Sequence, residues 1–154
     1  LYNLPAKIFN KNVDYLLSLF DLLEWKDHLI ESYSHGMRQK LIMTSVFMLE
    51  TPTIIVDEPM VGLDPKSAKI VKELFKKYAS NGGSIFLSTH SLEIAEELCN
   101  KIAIILNGKI RTIGNMDDLR KEAHLQSSDL EEVFLELTGT QDLKDVILAL
   151  QNKT

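Results

Sequence analysis

Residues 53–59 read Thr-Ile-Ile-Val-Asp-Glu-Pro. Four consecutive β-branched side chains are stiff at χ1 and suit a pleated strand better than a helical turn. The run is apolar on both faces, as in a strand covered above and below within a parallel sheet. It stops at Asp57 and Glu58, two adjacent carboxylates that repel each other and call for a metal or a proton-transfer task. Few folds accept such a strand. It has to lie in a layered α/β core, with its acidic tip at the rim.

The flanking sequence fits that frame. Val13, Leu16, Leu17 and Phe20 recur at helical spacing and predict a helix over about 12–24. Leu41, Ile42, Ser45, Val46 and Leu49 mark a second helix, beginning near Ser34 and ending before Pro52. Asp64-Pro65 reads as an N-cap with proline in the first turn. Val71, Leu74, Phe75 and Tyr78 form the buried stripe of that third helix, which Gly82-Gly83 stops. Residues 84–90, Ser-Ile-Phe-Leu-Ser-Thr-His, are a second buried strand, followed by a helix over about 91–99. Asn107-Gly108 between two apolar runs predicts a hairpin. Helices are expected over about 115–123, 128–138 and 141–151.

Strand–helix–strand order argues a parallel α/β sheet, with the hairpin as a mixed edge. The expected divisions are residues 1–50, the end of a helical subdomain; 51–114, an α/β core with its hairpin; and 115–154, C-terminal helices. Ligands of such sheets bind outside the carboxyl ends of the strands, where Asp57, Glu58 and His90 fall.

Charge and cysteine content narrow the class. A net charge of −5 gives no electrostatic case for nucleic acid as a partner. The single cysteine, Cys99, sits in an apolar helical pattern, cannot form an internal disulfide, and reads as a small core residue in a reducing compartment. No apolar run reaches the roughly 20 residues a membrane span needs. The sequence opens on Leu1 without a signal-peptide pattern and reads as a soluble piece of something longer.

Taken singly, each candidate group has two readings. Asp57 ends a strand as does the Mg²⁺-holding acid of phosphoryl-transfer enzymes, and Glu58 can accept a proton from an attacking water; both can equally cap the loop. Asp64 alone reads as a helix cap. His90 is either a satisfied loop residue or a contact to the same ligand. Ser34 and Gly36 at a helix start offer a hydroxyl, free N–H groups and the positive dipole end, or are a plain cap. His28, His35 and His124 share no metal-ligand spacing.

In combination, the order Tyr-Ser-His-Gly-Met-Arg-Gln-Lys (33–40), Thr-Ile-Ile-Val-Asp-Glu-Pro (53–59), Gly-Leu-Asp-Pro (62–65) and Ser-Thr-His (88–90) resembles the ATP-binding cassette (ABC) ATPase family over nearly the whole chain. The resemblance implies an α/β fold of the P-loop NTPase type: a parallel sheet with flanking helices, incomplete because the P-loop strand is absent. That strand would lie between those matching 84–88 and 101–106. It assigns Ser34, Gly36 and Met37 to the signature loop, which touches nucleotide held by a partner subunit. Asp57 becomes the Walker B acid, serving Mg²⁺ through water, and Glu58 the catalytic glutamate. Asp64 lies in the D-loop, and His90 is the switch histidine. ATP and Mg²⁺ are the implied cofactors. A second ABC ATPase domain and a transmembrane permease are the implied partners, on the cytoplasmic face of a membrane.

Two departures from the family pattern stand out. His35 replaces the first glycine of the usual Leu-Ser-Gly-Gly-Gln, and Met37 replaces its glutamine. The P-loop pattern G-x-x-x-x-G-K-[S/T] is absent: Gly108-Lys109 precedes Ile110 and has Ala103 where the first glycine belongs. The chain alone is therefore expected to be inactive. Residues 127–139 are similar to the segment after the core in ABC-2 type exporters. The alternatives are a soluble ABC ATPase outside transport, or a truncated regulatory or binding remnant.

Overall fold

The β-branched run forms strand β1 (Thr53–Asp57), paired in parallel with β2 (Ser84–Ser88) in a register from Thr53↔Ser84 to Asp57↔Ser88. The structure, a computed structural model, describes residues 6–49 and 51–139, and the chain divides into one unit that runs to Thr89 and another that begins at His90.

In the first unit, strand alternation sends Ile54 and Val56 to the core face, 3% and 8% exposed. Ile55, on the opposite face, is 76% exposed, and its register partner Phe86 is 67% exposed. The expectation of strands buried on both sides thus holds, among the described residues, for one face of β1 only; on β2 Ile85 and Leu87 are half-buried. Helix α3 (Pro65–Ser80) packs against β2, with Val71 and Phe75 fully inside. Four residues apart, they share one helical face. Helix α3 also meets α2 (His35–Met48), and the Phe47 and Phe75 rings lie 5.3 Å apart.

Past Asn81 the chain must reverse sharply. Gly82 takes φ +89°, and a Cβ on Gly83 would fall inside the Tyr78 ring, whose hydroxyl donates to the Thr51 carbonyl. This double glycine is a steric requirement of the turn into β2.

Helix α1 (Ala6–Leu19) begins and ends earlier than the hydrophobic pattern predicts. Asp21 adopts φ +57°, and the Leu22 N–H bonds the Leu17 carbonyl at 2.8 Å, a left-handed helix stop. Phe20 and Leu22 are nonetheless buried, so the apolar period continues beyond the helix itself. Short helical turns follow at Leu23–Trp25 and Ile30–Ser32.

The second unit opens with α4 (Leu92–Leu98), capped by the Ser91 hydroxyl. Strands β3 (Ile102–Leu106) and β4 (Lys109–Gly114) form the expected antiparallel hairpin. Asn107 and Gly108 both have positive φ, as a tight primed turn requires. The hairpin is not a mixed edge of the parallel sheet: among the described residues β1–β2 and β3–β4 are separate two-stranded sheets.

Helix α5 (Met116–Glu122) carries a full capping box from Asn115 and Asp118. Helix α6 (Leu130–Thr138) is capped by Asp129 and stopped by Gly139 at φ +76°. Ile102, Ile104, Leu119, Leu130 and Val133 form this unit's core, with Cys99 packed against it. Burial pushes the Cys99 thiol pKa up, which keeps it protonated and inert, in line with the core reading. The helix expected over 141–151 lies outside the described residues. No helix among the described residues is long and apolar enough to cross a membrane.

Candidate functional site

The parallel register sets the site. Because Asp57 lies opposite Ser88, the carboxyl ends of β1 and β2 finish together, and the segments leaving them meet. The Ser88 hydroxyl donates to Asp57 Oδ1. The Thr89 hydroxyl donates to Glu58 Oε2 at 3.0 Å, and the Glu58 N–H donates to the Ser88 carbonyl at 2.9 Å. The two neighbouring acids are thus held by two neighbouring hydroxyls at the end of the next strand. Glu58 adopts φ +45°, a left-handed conformation that costs a non-glycine residue about 1–3 kcal/mol.

Beyond Glu58 the chain makes two tight turns, Val61 N–H to the Glu58 carbonyl and Leu63 N–H to the Met60 carbonyl, both 3.2 Å. It then reaches Asp64, the N-cap of α3, which accepts from the Ser67 N–H at 3.0 Å and the Ser67 hydroxyl at 2.7 Å. Its second oxygen also meets Lys40 Nζ at 2.7 Å. The Lys40 ammonium, followed by the Ser67 donors, holds the Asp64 carboxyl well below the usual carboxylate range.

Ser34 is the N-cap of α2. Its hydroxyl accepts from the Met37 N–H at 3.2 Å, and its carbonyl from the Arg38 N–H at 3.0 Å. Ser34 is exposed, while Gly36 and Met37 are half-buried. The imidazole of His35 lies against Gly62, which has φ +80°.

Asp57, Glu58, Asp64 and the Ser34–Met37 turn therefore all belong to the first unit. His90 opens the second unit, directly after Thr89 in the chain. Among the described residues, no three His, Cys, Asp or Glu side chains group as a metal cage. Asp57 and Ser88 offer hard oxygen donors, the ligand type that Mg²⁺ takes.

Several of these groups escape sequence reasoning. Ser88 and Thr89 enter there only as the residues leading into His90 and are given no role, although equal-length parallel runs would align them with Asp57 and Glu58. Nothing in the sequence marks Lys40 as the partner of Asp64, or Gln39 as the donor to the Pro59 carbonyl at 3.4 Å.

A family profile described as "AAA domain, putative AbiEii toxin, Type IV TA system" matches residues 18–96. The ABC-type transporter ATP-binding protein EcsA of Bacillus subtilis is 31% identical over 137 residues, 89% of this chain and 56% of its own length. The daunorubicin resistance ATP-binding protein DrrA3 of Streptomyces coeruleorubidus is 29% identical across all of this chain and 48% of its own. Among solved structures, an ATP-binding subunit of an ABC transporter superposes with TM-score 0.84 and 35% identity, over 89% of this chain and 57% of that one. A dimeric post-hydrolysis ATP-binding cassette bound to ADP and Pi matches with TM-score 0.65 and 20% identity, a likeness of fold, over 73% of this chain and 49% of that one. The chain spans about half the length of these two curated relatives.

Proposed function

This chain belongs to the AAA-domain family and, with its relatives and solved neighbours, to the ABC ATPases, and from that premise we propose that it is the signature-loop and Walker B portion of a transporter's ATP-hydrolysing subunit. The observation that carries the reading is the tip of β1, where Glu58 is held in a costly left-handed conformation beside Asp57 and gripped by Thr89. Strain of that kind persists only where the surrounding structure over-determines it, and it clusters at active sites.

In the proposed mechanism, Glu58 orients and deprotonates the water that attacks the γ-phosphate of ATP, with Thr89 fixing its carboxylate. Asp57, with Ser88 beside it, would hold Mg²⁺ through water, and the ion would supply charge neutralisation at the phosphates. For His90, which opens the second unit, the family resemblance alone implies a hydrogen bond to the γ-phosphate as charge develops on it. Ser34, Gly36 and Met37 present a hydroxyl and a helix N-terminus to nucleotide bound by a partner subunit.

The sequence carries no G-x-x-x-x-G-K-[S/T] pattern, so in this proposal the phosphate-binding loop is supplied from outside these 154 residues, which by themselves should not turn ATP over. The apolar Ile55 and Phe86 pair, left open on one face of β1–β2, fits coverage by that additional portion. Closure of two such subunits over ATP would drive a permease from the cytoplasmic face of a membrane. The likeness to DrrA3, a resistance protein by name, favours an exporter.

Mixed dimers of the full-length protein test the assignment in trans. With Ser34→Ala in one subunit and a phosphate-loop lysine change in the other, both lesions fall on one composite site, and the second site should still turn over. With both changes in the same subunit, each site carries one lesion and activity should collapse. Equal residual activity in the two arrangements would overturn the assignment.

A further inference from the structure

The first turns of α2 clasp the segment that follows Glu58 at three points. Residues 35, 36, 39 and 40 share one helical face. At the near end of the segment, Gln39 Nε2 donates to the Pro59 carbonyl at 3.4 Å. At the far end, Lys40 meets Asp64 at 2.7 Å. In the middle, a Cβ on Gly36 would sit 3.0 Å from the Gly62 carbonyl oxygen, and one on Gly62 would sit 2.7 Å from His35 Cδ2 and 2.8 Å from Nε2. The imidazole thus occupies the space that a side chain at Gly62 would need, and it rests on backbone already in the left-handed region at φ +80°. Val61 is in turn hydrogen-bonded to the Glu58 carbonyl.

We propose that His35 is a positioning residue: its ring wedges the signature turn onto Gly62, so that a load placed on Ser34 and Gly36 by a partner's nucleotide is delivered through residues 59–64 to Glu58 of the same subunit. The proposal rests on the ATPase reading above. A glycine at position 35 leaves the two ends of the clasp, Gln39 and Lys40, but removes the middle contact. His35 therefore sets how closely occupancy of one composite site is reported to the carboxylate of the other. Its chemistry is that of a shaped, flat spacer.

Amide hydrogen exchange on the full-length protein tests this without needing turnover. In His35→Gly, the Val61 and Leu63 amides should exchange about tenfold faster than in wild type, since opening of the two turns is no longer opposed. Ile42→Ala, an exposed change on the same helix, should leave both within about twofold. Adding Mg²⁺ and a non-hydrolysable ATP analogue should slow these amides in wild type and much less in His35→Gly. In parallel, Gly62→Ala should lower kcat for ATP with little change in KM, and His35→Gly placed on top of it should restore about threefold or more, because the clashing ring has gone. Unchanged exchange in His35→Gly, or a double variant whose kcat is the product of the two single effects, would overturn the proposal. Wild-type protein without ATP turnover would instead overturn the ATPase reading, and the exchange result would still decide the clasp.

Discussion

Asp64 makes three bonds with one carboxylate, and replacing it in two ways separates them. Asp64→Ala removes the N-cap of α3, worth about 1 kcal/mol. It strands the hydroxyl of Ser67, 2% exposed, at a further cost of about 1 kcal/mol. It also deletes the Lys40 pair, whose contribution stays below about 0.5 kcal/mol because the Asp64 side chain is 46% exposed. The total is about 2 kcal/mol. Asp64→Asn keeps an oxygen for the Ser67 N–H but turns an amide toward Lys40, and should cost about 1 kcal/mol.

Urea unfolding of the full-length protein reads both numbers, since 1 kcal/mol displaces the midpoint by about 0.3–1 M. The pH dependence follows from the sign of the shift. The folded carboxyl is held below its ordinary value near 3.8, so its stabilisation is complete above that value and is lost as pH falls through it toward the folded pKa. The gap between wild type and Asp64→Asn should therefore be constant down to about pH 5 and narrow toward pH 3. A gap that stays constant to pH 3, or an asparagine variant as damaged as the alanine one, would refute this division of roles.

Other perturbations address the core and the chemistry. Phe75→Ala removes a ring that is 3% exposed and packed on Phe47, and should cost about 3–5 kcal/mol in thermal or chemical unfolding. His90→Ala should reduce kcat about tenfold or more, with nucleotide affinity little changed, if its contact forms at the transition state. Unchanged kcat would return His90 to the role of an ordinary loop residue.

The strand at 53–57, the cap at Asp64, the Asn107-Gly108 turn and the helix beginning after Ser34 are all legible in the sequence, because each rests on local stereochemistry. Propensity, capping and turn conformations act within a few residues. The illegible parts depend on register and on distant side chains. The grip of Ser88 and Thr89 on the acids arises from a pairing across 31 residues. The left-handed Glu58 is a conformation that no local preference favours. Periodicity misplaces the end of α1 because Phe20 and Leu22 continue the apolar pattern through a stop formed by Asp21, which periodicity cannot see. The open face of Ile55 and Phe86 has the composition of a buried strand, yet the residues described leave that face uncovered.

The central claim is that Glu58 is the base that activates water for ATP hydrolysis, and Glu58→Gln in the full-length protein tests it most directly. The amide keeps the shape and an acceptor oxygen but cannot take the proton, so single-turnover hydrolysis of Mg²⁺–ATP should fall by about 10²–10⁴-fold. Equilibrium binding of Mg²⁺–ATP should remain at the wild-type level. Hydrolysis within a few-fold of wild type, with binding intact, would contradict the account and leave Glu58 as a loop cap.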